Sequence, residues 1–110
     1  MSDHDHDKKK VAVLLSTCPP EVADSLATKL VEGGLVACVN ILPQVSSVYR
    51  WEGKLEKSQE SLLMIKCSRD RMEEVTQEIL KHHPYSVPEV LGLRVKGGNP
   101  AYMDWVVAGG

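Results

Sequence analysis

Phenylalanine is absent from this sequence, and only three tyrosines and two tryptophans stand among its 110 residues. A core without Phe is built from aliphatic side chains. Recognition of single-stranded RNA, which stacks bases on rings carried by central strands, has little to work with here. Charge of one sign is lacking too: 13 basic against 15 acidic side chains leave −2 with both signs dispersed, so no basic stripe marks a nucleic-acid surface. No apolar run approaches the ~20 residues of a membrane-spanning helix. The run nearest the start, Val11-Ala12-Val13-Leu14-Leu15, is shorter than the ~7–15 residues of a secretory h-region, and the Asp/His-rich stretch before it fits poorly. Cysteine is scarce: Cys18, Cys38 and Cys67 are odd in number and widely spaced, which implies no disulfide framework. Reduced thiols and a cytoplasmic location are the expectation. Serine-hydrolase, P-loop and zinc-hydrolase motifs are missing as well, so a binding protein is expected rather than an enzyme.

What remains is 43% apolar and 25% charged residues, enough for one α+β domain over residues 11–110 behind an Asp/His/Lys tail at 1–10. Val11–Thr17 reads as a strand buried on both faces. Pro19-Pro20 opens a helix, Val22, Leu26 and Leu30 with Ala23, Ala27 and Val31 give it one apolar stripe, and Gly33-Gly34 stops it. Leu35–Ile41 is a second strand. Pro43 removes a ladder donor and predicts a bulge or edge position, after which the chain runs extended through Val45–Tyr49 to a turn at Glu52-Gly53-Lys54. A strand from Leu55 to Lys66, a helix from Arg69 to His82 and a strand from Val90 to Val95 follow. Asn99-Pro100 is a cap and first-turn pair for a C-terminal helix. The order βαββαβ predicts a ferredoxin-like four-stranded antiparallel sheet with both main helices on one face, plus an extended hairpin.

The five aromatics, Tyr49, Trp51, Tyr85, Tyr102 and Trp105, all fall in the additions to that scheme: the hairpin, the Pro84–Pro88 loop and the terminal helix. Large rings on peripheral elements cover a sheet edge, build a subunit interface or line a cleft between chains. A long unpaired hairpin edge invites association, and identical partners close into rings.

Four ordered blocks carry a resemblance. Tyr49-Arg50-Trp51-Glu52-Gly53-Lys54, His83-Pro84-Tyr85-Ser86-Val87-Pro88-Glu89, Leu35-Val36-Ala37-Cys38-Val39-Asn40 and Tyr102-Met103-Asp104-Trp105 together resemble the CutA divalent-cation tolerance family over about residues 11–106. The resemblance implies a homotrimer joined around a three-fold axis and a part in tolerance of divalent metals, copper above all. Such proteins are similar to the trimeric PII signalling proteins, which adds a regulatory module binding a small anionic ligand or a partner protein as the alternative function.

The copper site implied by the resemblance is the pair His82-His83 with a thiol near the end of the first strand. Imidazole suits copper, and the residue before Pro84 avoids helical geometry, which would let the two rings converge. The bland reading is that Lys81, His82 and His83 complement the negative helix end. The family's thiol position holds Ser16 here, with Cys18 two residues on, so the expected metal set is His82, His83 and Cys18. Cys38 and Cys67 read as packing residues. Trp51, Lys54, Tyr85 and Glu89 are the expected lining of an inter-subunit cleft, either as a ligand site or as a device fixing the trimer's register. A metallochaperone would want Cys-x-x-Cys in the first loop, where one thiol stands. Removal of Met1 would leave Ser2-Asp3-His4, whose amine, two amide nitrogens and imidazole suit square-planar copper(II) or nickel(II).

Overall fold

A computed structural model describes residues 10–110. The N-terminal tail, and with it the Ser2-Asp3-His4 expectation, lies outside the described residues. Four strands form one antiparallel sheet: β1 (Val11–Cys18), β2 (Cys38–Trp51), β3 (Lys54–Ser68) and β4 (Leu91–Arg94), in the order β2-β3-β1-β4. Three helices accompany them: α1 (Pro20–Glu32), α2 (Met72–His82) and α3 (Pro100–Val107). This is the ferredoxin-like α+β arrangement expected from the element order. No helix among the described residues is long and apolar enough to cross a membrane.

Local chemistry sets each boundary. Pro20 occupies the first turn of α1, where its missing N–H is no loss. Ala23, Leu26, Ala27 and Leu30 turn inward, and Gly34 ends the helix in the left-handed region at φ 74°. Val31, placed on the apolar stripe by spacing, is 43% exposed because it lies at the stripe's margin; Leu80 of α2 does the same. The helix expected from Arg69 begins instead as a 3-10 turn, Arg69–Arg71, before α2 proper. At its other end His83 is already extended (φ −78°, ψ 137°), as the following proline requires. Asn99 caps α3, its Oδ1 accepting from the Ala101 amide at 3.0 Å, with Pro100 in the first turn.

The second strand departs most from expectation. Leu35–Ala37 lies outside the sheet ladder, and what reads as two extended runs is one strand, β2, interrupted between Leu42 and Val45. Pro43 lacks the N–H for the ladder and Gln44 adopts φ 59°, so the irregularity absorbs both residues and pairing with β3 resumes at Val45↔Glu60. The hairpin closes in a two-residue turn, Glu52-Gly53, both at positive φ, the geometry matched to strand twist.

The register sorts side chains to two faces. Ala12, Leu14, Cys18, Leu63, Ile65 and Cys67 meet α1 and α2 in the main core. Gly92, opposite Leu14, permits the close approach of Met72, whose Sδ would lie 2.4 Å from a Cβ there. The other face carries Val13, Leu15, Leu62, Met64, Leu91 and Leu93 by the same alternation. α3 covers only one end of it, through Val11, Ala37 and Val106. Leu91 and Leu93 stay 56% and 50% exposed. Beyond Ser61, β3 has no β1 partner, so residues 45–60 form a two-stranded arm that draws the molecule out to 48 × 26 × 25 Å. A two-stranded arm is marginal on its own.

Candidate functional site: a cleft between the hairpin arm and the 83–89 loop

His83 anchors the site. It follows α2 in the extended conformation that Pro84 imposes, which turns its ring back against the end of β1. Its Nδ1 accepts from the Tyr85 amide at 3.1 Å, so the ring proton sits on Nε2, which donates to the Thr17 carbonyl at 2.8 Å. The ring is 8% exposed and lies 4.8 Å from that of Tyr85. The tautomer follows from this network.

Tyr85 thus held extends its hydroxyl to Glu60, donating to Oε2 at 2.9 Å. Burial, then the hydrogen bond to Glu60 and the charge of that carboxylate, push the Tyr85 phenol far above its usual range, so it keeps its proton and remains the donor. Glu60 is 6% exposed, the most hidden acidic residue of the arm. Around these groups lies a cavity of about 580 Å³, walled by Tyr49 and Trp51 of the arm, Thr17 of β1, and Tyr85 and Glu89 of the loop. That volume suits a small molecule.

Of the four residues expected in a cleft, Trp51, Tyr85 and Glu89 come together here. Lys54 does not line it; it pairs with Trp51 across the hairpin turn. Tyr49, expected only as one of the peripheral rings, joins them, whereas Glu60 and Thr17 were missed by sequence reasoning. Glu60 had one available signal, since it continues the alternation of Leu62 and Met64 and places a carboxylate on the face they share.

The metal set is not brought together within one chain. Cys18 is fully buried on the helix side of the sheet, and burial, then the charges of Glu60 and Glu21, raise its thiol pKa, which favours the protonated form over the metal-binding thiolate. His82 turns outward to Glu78, its Nε2 3.0 Å from the carboxylate. Both nitrogens of His83 are engaged by backbone groups. Among the described residues, no three His, Cys, Asp or Glu side chains gather as a metal site. The reason is local: the His82 ring is drawn to Glu78, and both ring nitrogens of His83 are taken by backbone groups. The residues present therefore do not fit a copper ion in one chain. Two residues before Cys18, the Ser16 hydroxyl is buried without a hydrogen-bond partner.

The terminal aromatics hold α3 in place instead. Lys66 Nζ donates to Tyr102 Oη at 3.0 Å, and Tyr102 lies 5.5 Å from Trp105.

Comparison with known proteins bears on this geometry. The family model described as CutA1 divalent ion tolerance protein matches residues 12–109. A protein from Xenopus laevis named Protein CutA homolog is 47% identical over 91 residues, which are 82% of this chain and 60% of that protein; the chain thus spans little more than half of that relative's length. The crystal structure of CutA from Xylella fastidiosa superposes with a TM-score of 0.88 at 36% identity, covering 91% of this chain and 97% of that one. A structure titled PII-like protein CutA, from Nostoc, gives a TM-score of 0.85 at 36% identity, with coverage of 89% and 95%. With the family model matching residues 12–109 and relatives more than 40% identical over most of its length, the chain belongs to the CutA1 divalent ion tolerance family.

Proposed function

We propose that the chain works as a homotrimeric regulatory protein in divalent-cation tolerance, acting by binding rather than by catalysis, with the cleft described above as its ligand site. The observation that carries this reading is the open sheet face. Leu91 and Leu93 remain half exposed beside the half-buried Val13, Leu15, Leu62 and Met64, while the β2–β3 arm runs on beyond the end of β1 without a further strand beside it. An apolar face of this kind marks an interaction surface. Three copies closing around it would bury the leucines and give the arm a strand partner.

The PII-like name of the Nostoc structure supports the regulatory part, because a loop and an arm that meet around a cavity give binding a route to assembly. We place the protein in the cytoplasm, which suits its three free thiols. The part in metal tolerance is one of response, and tight copper capture by His82, His83 and Cys18 is not part of the reading. Native mass spectrometry with and without copper under reducing conditions tests both halves. A three-subunit ion with no stoichiometric copper is expected. Monomers, or one copper per chain lost in a His82→Ala, His83→Ala variant, would contradict it.

A further inference from the structure

The cavity has a charge that no ion pair among the described residues answers. Glu60 is nine-tenths buried, and only Oε2 has a donor, the Tyr85 hydroxyl. The second oxygen has no partner among the described residues, and no Lys, Arg or His forms an ion pair with the carboxylate among them. A buried carboxylate without a countercharge is costly to maintain. Glu89 adds a second negative group to the wall, and among the described residues no basic side chain lines the cavity. An anion entering here meets two carboxylates and no cation. Tyr49, Trp51 and Tyr85 complete the wall, and ring faces attract cations.

A bare divalent metal fits less well. Hard cations take about six or more oxygen ligands, and softer ones want nitrogen or sulfur donors, whereas two carboxylates with aromatic neighbours provide neither set. We propose that this cleft binds a small organic ammonium ion, its charge received by Glu60 and its alkyl surface by Tyr49 and Trp51. The proposal deepens the ligand-site reading above and rests on it. It replaces the small anion of the PII-like expectation with a cation.

Calorimetric titration of the full chain with choline, with its neutral isostere 3,3-dimethyl-1-butanol, and with citrate tests the assignment. Sedimentation of the same samples reports assembly separately, so loss of the trimer and loss of the cation site are distinguishable. Choline is expected to bind saturably, the alcohol and citrate at least about tenfold more weakly, as a lost charge-assisted contact implies. Glu60→Gln keeps the shape and the acceptor for Tyr85 and should weaken choline about tenfold; Trp51→Leu, on the exposed arm, should weaken it severalfold without unfolding the chain. Unchanged choline affinity in Glu60→Gln, equal binding of the alcohol, preference for citrate, or no choline binding by the folded protein would each overturn the proposal.

Discussion

Replacing Ser16 by alanine should make this protein more stable. Ser16 is fully buried on the helix side of β1, opposite Leu63, and its hydroxyl finds no partner. A desolvated hydroxyl that makes no hydrogen bond costs about 1–3 kcal/mol. Deleting the oxygen leaves a void on the order of 10–20 Å³, which at about 24 cal/mol per Å³ costs only ~0.2–0.5 kcal/mol. The balance favours Ser16→Ala by about 1 kcal/mol or more, a rise of several degrees in Tm for a domain of this size. Ser16→Cys, which puts a thiol where the resemblance implies one, should stabilise for the same reason, since a buried thiol behaves as a small hydrophobe. Thermal and urea unfolding at matched protein concentration would measure both, because assembly makes Tm concentration-dependent. A loss of 1 kcal/mol or more in Ser16→Ala would refute the reasoning and show that the hydroxyl has a partner.

Leu93→Lys should leave the fold intact, because the position is half exposed in one chain, yet abolish trimers by bringing three ammonium groups onto the apolar face; circular dichroism with gel filtration would check both. His83→Ala removes a ring bonded to the Thr17 carbonyl and the Tyr85 amide, at about 1–3 kcal/mol, and should speed hydrogen exchange across residues 83–89 more than in the sheet. Burial pushes the Cys67 thiol from 9.0 up to about 11. A folded-state value raised above the unfolded one means that this stability is complete below about pH 9 and is lost as pH rises towards 11. The full effect is roughly 2–3 kcal/mol at 1.36 kcal/mol per pH unit. Cys67→Ala should flatten the stability–pH curve over that window, and an unchanged slope would contradict the assignment.

The sequence disclosed what depends on neighbours along the chain. The stripe of Ala23, Leu26 and Leu30, the Pro20 start, the Gly34 stop and the Asn99 cap are local devices, and each appears where spacing places it. Pro43 announced an irregularity but not its outcome: a proline reads as a stop, whereas the sheet bypasses it with a bulge and continues. The site was harder. Trp51, Tyr85 and Glu89 share a cavity because loop and arm converge, yet Glu60 and Thr17 join them only through register across three strands and the reach of His83. For the same reason adjacency does not bring the rings of His82 and His83 together. Sequence adjacency says nothing of direction, and direction here is set by Glu78 for one ring and by a β1 carbonyl for the other.

One chain leaves Leu91 and Leu93 half exposed and an arm without a β1 partner, and the proposed trimer would cover both. Sedimentation equilibrium of the unmodified protein at micromolar concentration tests it most directly. A single species of three times 12.1 kDa is the result the account requires. A folded species of 12.1 kDa, persisting as concentration rises, would contradict it.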